Sequence, residues 1–359
     1  MTTEVQDHRP APRSAVEETA LGRQLGAAAT TPPLSLGLRG LLSVLAAALL
    51  LHSGRPGAAS AQSPPPPGTQ VVLLGTGTPL PDPERAGPAT AVVVNGTAYL
   101  VDVGTGVVRR AAAARDRGVA ALEPTKLRIA FVTHLHADHT LGLADLILTP
   151  WIMGRTEPLE LYGPPGLRAM AGAIVAAYAA DIAIRTGGLE HSNRTGYHVN
   201  VHEVAPGLVY RDANVTVTAF DARHGELAHA YGYRFVTVDR TVVISGDASA
   251  RSAVLENCQG CDVLVHEGYT QASYELVPAP WQRYRAAYHT SSEELAALAS
   301  RAHPGLLVLY HRANPGCDQV RDPAGAATCR AAGSEAQWLQ EVRRAYPGNV
   351  VAGHDLDVY

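Results

Sequence analysis

The chain has 359 residues, 46% of them hydrophobic and 17% charged, enough apolar material for a large buried core and too much for a disordered polypeptide. Its formal net charge is −4, so it carries no basic surplus with which to follow a nucleic-acid backbone. That balance gives no strong nucleic-acid signal and leaves a small-molecule substrate as the expectation.

Residues 1–61 read as a leader. A polar stretch ending at Arg39 runs into LLSVLAAALLL at 41–51, which is short of the roughly 20 residues a spanning helix needs. Ala59, Ser60 and Ala61 then fit a small-residue cleavage pattern. The expectation is export, periplasmic or secreted, with the apolar segment either removed or kept as a membrane tether. SPPPPG makes 62–69 a stiff proline-rich linker, and the folded domain is expected over 70–359.

Within that domain, short apolar runs alternate with turn residues. TQVVLLG is a strand stopped at Gly75, Gly77 and Pro79, and ATAVVVNGTAYLVDVG is a hairpin around Asn95-Gly96, the dipeptide a two-residue turn favours. RIAFVTHLHADHTLGLADLILT reads as strand, polar loop and helix; PLELYG as a strand; GLRAMAGAIVAAYAADIAI as a helix by its apolar spacing. NVTVTAFDARHG and YGYRFVTVDRTVVISGD are strand-rich. Three helix-then-strand units follow: AVLENCQGCDVLVHEG, SSEELAALASRAHPGLLVLYH with a capping box from Ser291 to Glu294, and SEAQWLQEVRRAYPGNVVAGHDLDVY. Two mixed β-sheets packed face to face with helices outside, an α/β (α+β) arrangement, is the economical architecture. Cys258 with Cys261, and Cys317 with Cys329 across the loop CDQVRDPAGAATC, suit two local disulfides in an exported protein. A four-cysteine zinc site is the competing reading, and its second spacing is too wide for a knuckle.

The chemistry concentrates in HLHADH, residues 134–139. His134 and His136 stand at alternate positions leaving a strand, with Asp138 and His139 just beyond. Buried imidazole and carboxylate groups are costly unless compensated, and a divalent cation compensates them. Further candidate ligands end apolar runs downstream: His224 after VTVTAF, Asp247 after TVVISG and His311 after LLVLY. His229 competes with His224, which is preferred because it ends the strand and precedes Gly225, a residue that a tight turn tolerates. GTGTP lacks the Lys-Ser/Thr of a phosphate-binding loop and reads as a turn lining the site.

The H-x-H-x-D-H run, with His224, Asp247 and His311 in order behind it, resembles the metallo-β-lactamase superfamily. LLGTGTP, the Tyr231–Tyr233 run, VLVHEG and the HTS at 289–291 are most similar to its ribonuclease Z and arylsulfatase-type branch. The resemblance runs from about Gln70 to the C-terminus and implies an αββα sandwich, the metallo-β-lactamase fold, holding two metals between the sheets. It implies that His134, His136 and His224 hold one ion, that Asp138, His139 and His311 hold the other, and that Asp247 bridges. Zinc is expected from the imidazole-rich set, with manganese or iron as acceptable occupants. Two ions about 4 Å apart would ionise a shared water for attack. Asp138 is expected to orient that water or take its proton, His289 to donate to the scissile group, and Glu267 to orient His289 or a ligand histidine.

Ribonuclease Z enzymes carry a long arm between the isolated histidine and the bridging aspartate that grips transfer RNA. Here His224 to Asp247 holds little more than the hairpin YGYRFVTVDRTVVIS. The expectation is therefore an exported binuclear hydrolase of a phosphodiester or sulfate ester, working as a homodimer. The alternatives are a lactamase or lactonase acting on carbonyls, a ribonuclease Z processing transfer RNA 3′ ends, and a metal-binding protein without catalysis.

Overall fold

A computed structural model describes residues 68–249 and 251–359. The leader expected over 1–61 lies outside the described residues, as does most of the 62–69 linker. Among the described residues no single helix is long and apolar enough to cross a membrane.

The strands form two mixed sheets whose spatial order follows the chain. The first comprises β1 Gln70–Gly75, β2 Ala89–Val94, β3 Thr97–Val101, β4 Ile129–Phe131, β5 Leu159–Gly163 and β6 Val199–Glu203. The second comprises β7 Gly207–Arg211, β8 Thr216–Asp221, β9 Tyr231–Val236, β10 Thr241–Ile244, β11 Val263–Gly268, β12 Leu306–Arg312 and β13 Val350–Ala352. Each sheet opens with antiparallel neighbours and continues with parallel ones. Parallel neighbours need long crossovers, usually helical.

Those crossovers carry most of the helices. They are α1 Val107–Asp116, α2 Ala137–Thr140, α3 Leu143–Ile152, α4 Leu167–Ala177, α5 Ala179–Gly187, α6 Arg251–Cys258, α7 Gln271–Tyr274, α8 Ala279–Tyr288, α9 Ser292–Ala302, α10 Pro323–Ala332 and α11 Glu335–Ala345. The apolar runs are buried on both faces, as β1 illustrates. Val72 and Leu74 pack outward with α1, α3 and α4 residues such as Val107, Leu146 and Leu167, while Val71 and Leu73 pack inward against the second sheet. A third core joins the second sheet to α6, α9 and α11 through Val254, Leu295 and Trp338. Two sheets covered on both outer faces by helices make the αββα sandwich of the metallo-β-lactamase fold.

Local expectations meet the structure at several points. Asn95 and Gly96 both take positive φ, 48° and 78°, the twist-matched turn between β2 and β3. Ser291 accepts from the Glu294 N–H while Glu294 returns a bond to the Ser291 backbone, and both expected disulfides form. Two expectations need correction. The apolar stretch expected as one helix is two, α4 and α5, bent by 57°, because Tyr178 leaves helical geometry with φ −98° and ψ 13°. The segment between Cys317 and Cys329 is largely helical, since Asp322 caps α10 by accepting from the Gly325 N–H and Pro323 occupies its first turn.

Beneath the H-x-H-x-D-H run, Phe131 ends β4 inside an aromatic cluster. Its ring lies 5.0 Å from Tyr162, 5.4 Å from Tyr233, 5.5 Å from Phe235 and 5.8 Å from Tyr210, centroid to centroid. The cluster ties β4 across both sheets and so fixes where His134 leaves the strand. Phe131→Ala is expected to destabilise the fold by about 4 kcal/mol, read as a lower urea midpoint at unchanged m-value. A loss under about 1 kcal/mol would show that this cluster does not anchor β4.

Candidate metal centre

Every ligand named from the sequence leaves a strand end or the short helix beside one, and all of them meet at one rim of the sandwich. His134 and His136 follow β4, Asp138 and His139 lie in α2, His224 follows β8, Asp247 follows β10 and His311 lies near the end of β12. Among the described residues four groups have donor atoms within 4.8 Å of one another: His134, His136 and His224; Asp138, His139 and His311; His134, His139 and Asp247; and His224, Asp247 and His289. His229 is exposed and stands apart, near Tyr231. All seven residues are buried except His136, which is half-buried.

The orientation of each imidazole is set from behind. Thr133 Oγ1 lies 2.9 Å from Asp102 Oδ2 and 3.0 Å from His134 Nδ1. The hydroxyl donates to the carboxylate and accepts from Nδ1–H, which leaves a lone pair on His134 Nε2. His139 Nδ1 lies 2.8 Å from Asp102 Oδ2, and His224 Nδ1 lies 2.6 Å from the Tyr288 carbonyl. Both acceptors fix the proton on Nδ1 and turn Nε2 into the cluster. The consequence is unusual packing: His224 Nε2 faces His136 Nδ1 at 3.2 Å, and His139 Nε2 faces His311 Nε2 at 3.3 Å.

Asp247 stands between the two halves. Its Oδ1 is 3.3 Å from His139 Nε2 and 3.6 Å from His311 Nε2, while its Oδ2 is 3.6 Å from His224 Nε2. Asp138 Oδ2 is 3.1 Å from His311 Nε2. Burial pushes His134, His136 and His224 down, His224 to about 4, so this half presents neutral nitrogen donors. Burial opposes a charge on His139 and His311 as well, yet Asp247 outweighs it, helped by Asp102 at His139 and Asp138 at His311, and holds both imidazoles above their ordinary value. Burial would raise Asp247, but the His311 and His139 imidazoles overcome it and hold the carboxyl well below the usual range.

These residues fit a pair of divalent cations. His134 Nε2 and Asp247 Oδ1 are buried without a hydrogen-bond partner, the state in which a polar atom costs most. Three imidazoles plus one carboxylate oxygen suit one ion, and two imidazoles plus two carboxylates suit a second.

His289 sits beside the cluster, its Nδ1 3.9 Å from Asp247 Oδ2 and 3.0 Å from Glu267 Oε2. The other Glu267 oxygen accepts from the backbone N–H of Thr290 at 3.0 Å and of Ala248 at 3.3 Å. Glu267 is fully buried and thus orients His289 while tying down the residue after Asp247. Gly225 has φ +56°, and a Cβ there would lie 2.1 Å from the Tyr288 ring, so glycine is required where the chain turns behind His224.

Above the cluster a cavity of about 300 Å³ is walled by Thr78, Pro79, Leu80, Trp281, Tyr284 and Pro315. The sequence pattern does not single out α8, which brings Trp281 and Tyr284 to that wall. Its signal is the aromatic spacing in WQRYRAAY, three and four residues apart. Asp102 is likewise not singled out, although LVD repeats the pattern of an acidic residue ending an apolar run.

Comparison with known proteins agrees with this geometry. Residues 97–312 match the beta-lactamase superfamily domain. The chain belongs to the metallo-β-lactamase superfamily. Ribonuclease Z of Mycobacterium sp. strain KMS is 37% identical over 290 residues, covering 80% of this chain and 94% of that protein, and Ribonuclease Z of Mycobacterium avium strain 104 is 34% identical with coverage of 80% and 96%. Among solved structures, the metallo-beta-lactamase fold protein YhfI of Bacillus subtilis covers 81% of this chain and 98% of its own at 18% identity and TM-score 0.59. The short form of human tRNase Z gives the same coverages at 23% identity and TM-score 0.56. As a superfamily member close to the ribonuclease Z proteins, the chain is a metal-dependent hydrolase.

Asp102→Asn keeps the shape of the side chain but weakens its hold on His139 and Thr133. Metal affinity, measured by chelator competition, is expected to fall about 10- to 100-fold. Unchanged affinity would mean that Asp102 does not orient the ligand histidines.

Proposed function

We propose that the protein hydrolyses phosphodiesters with two divalent cations, zinc first among those the donors suit. His134, His136 and His224 would hold one, Asp138, His139 and His311 the other, and Asp247 both. The observation that carries this is the pair of facing donor triads with one carboxylate oxygen turned to each half. Bound there, the cations would activate water and stabilise charge on the phosphorus oxygens.

The protein's own groups do the rest. Asp138 Oδ2 is only 3.1 Å from His311, and its carboxylate borders the cavity, where it can orient the attacking water and accept its proton. His289 also borders the cavity; Glu267 accepts from its Nδ1–H, and only as the imidazolium does the ring carry a second proton on Nε2 to give to the departing oxygen. Tyr284 and Tyr288 stack at 4.5 Å, with Trp281 edge-on to Tyr284 at 5.4 Å. This aromatic wall narrows the approach and offers a face to a base or an aryl group.

The name carried by the curated relatives supports RNA as the substrate and ribonuclease Z activity on transfer RNA 3′ ends as the leading specificity. A second reading, a smaller phosphodiester or sulfate ester met outside the cytoplasm, has its own support. Between His224 and Asp247 the chain makes a six-residue turn, the β9–β10 hairpin and the two residues that follow it, with no arm to grip a folded RNA, and both cysteine pairs are disulfides, which persist in oxidising compartments. On that reading the 1–61 leader directs export or tethers the protein, which acts as a homodimer.

Metal-replete protein assayed side by side on a 3′-extended precursor transfer RNA, bis-p-nitrophenyl phosphate, p-nitrophenyl sulfate and nitrocefin separates the readings. Endonucleolytic cleavage of the RNA supports the first; turnover of only the small esters supports the second; nitrocefin turnover alone overturns both. His136→Ala is expected to remove one ion and all hydrolysis. His289→Ala should keep the metal content and slow turnover by about two orders of magnitude, whereas loss of metal would make it a ligand.

A further inference from the structure

A second cavity, of about 390 Å³, opens beside the one over the metal centre and shares Thr78, Leu80 and Asn314 with it. Three guanidinium groups line it: Arg85, Arg312 and Arg330. Two of these are occupied. Arg85 donates to Thr76 Oγ1 at 2.8 Å and to Glu335 Oε2 at 3.0 Å, and Arg330 donates to Asp318 at 2.9 Å.

Arg312 is different. It is half-buried at the end of β12 and makes no side-chain hydrogen bond or ion pair among the described residues. The carboxylates nearest to it are committed or turned to solvent: Glu335 pairs with Arg85 and His354, and Asp82 is exposed. A partly desolvated guanidinium with no carboxylate hydrogen-bonded to it is costly, and an anion that pairs with it removes that cost.

The backbone explains why it lies there. His311 has φ +45° and the β11–β12 register shifts around it, so the strand is kinked at this candidate ligand, and the two consecutive residues border different cavities: His311 the metal cavity, Arg312 the basic one. A molecule whose scissile ester sits over the cations therefore has the Arg312 cavity next to it.

We propose that Arg312 forms a subsite for a second phosphate group of the substrate, one step removed from the phosphorus that is cleaved. A guanidinium pairs two N–H donors with two phosphate oxygens in one plane, and since neither Glu335 nor Asp82 is hydrogen-bonded to Arg312, the anion has no such bond to displace. The inference rests on the phosphodiesterase reading and sharpens it: the preferred substrate carries at least two phosphates, as adjacent positions of a nucleic-acid strand or a doubly phosphorylated nucleoside do.

The test compares thymidine 5′-(p-nitrophenyl phosphate) with its 3′-phosphorylated counterpart, using metal-replete protein. The wild type is expected to show kcat/KM higher by about tenfold or more for the 3′-phosphorylated ester, mostly through KM. Arg312→Gln should bring the ratio of the two substrates close to one, and Arg312→Lys should restore part of it by keeping the charge. An unchanged ratio in Arg312→Gln, or no preference in the wild type, overturns the subsite. Calorimetric titration with inorganic phosphate provides a readout free of turnover: the wild type should bind a second phosphate that Arg312→Gln does not. If neither ester is hydrolysed yet that second phosphate binds through Arg312, the phosphodiesterase reading fails while the anion subsite stands; if the esters are cleaved and both proteins bind alike, the subsite alone fails.

Discussion

The constraint on which the rest of the structure depends is the convergence of nitrogen donors on one another at the rim of the sandwich. His224 and His136 face each other at 3.2 Å, and His139 and His311 at 3.3 Å, in surroundings from which water is largely excluded. Thr133, Asp102 and the Tyr288 carbonyl accept from Nδ1–H of His134, His139 and His224 and turn each Nε2 inward. Such an arrangement is repulsive by itself and becomes favourable around a cation. A proton is the weaker substitute: His139 and His311 are held above their ordinary value by Asp247, so protons and metal ions compete for the same place.

The sandwich exists, in functional terms, to present strand ends. Its two sheets each follow chain order, and residues far apart in sequence, at β4, β8, β10 and β12, reach one rim. The inter-sheet core of Phe131, Tyr233, Phe235 and their neighbours is packed tightly beneath the centre, leaving the donors little freedom to move apart. Three of the eight non-glycine residues with positive φ among the described residues fall at this rim, Asp102 with φ 62°, Arg223 with φ 47° and His311 with φ 45°. Strain of this kind persists only where surrounding contacts impose it, and here the contacts are those that aim ligands.

Much of this was legible in the sequence because the relevant signals are local. A histidine-rich run straight after IAF, an Asn-Gly between alternating apolar runs and a Ser-x-x-Glu before a helix each carry their own physics, and the corresponding hairpin, cap and strand ends are present. The seven ligand candidates could be named because four crowd into one run directly after an apolar strand and the other three each end an apolar run downstream, and the structure brings all seven together. Asp102 was not legible, since its importance comes from the left-handed turn that points it back at Thr133 and His139. Helix α8 escaped because its apolar stripe is aromatic and short, and because Arg285, buried inside it, reaches Ser273 and the Pro315 carbonyl through contacts no sequence window contains. The break between α4 and α5 was hidden for the opposite reason: an alanine-rich stretch keeps helical propensity through Tyr178, the residue at which the backbone leaves helical geometry.

The account reduces to a count of ions. Metal analysis of the purified protein, with unfolding followed before and after chelation, addresses it most directly. Two divalent ions per chain, whose removal lowers Tm and whose return restores it, is the predicted result. A chain that folds with the same Tm and binds no divalent ion at either set of donors would contradict it.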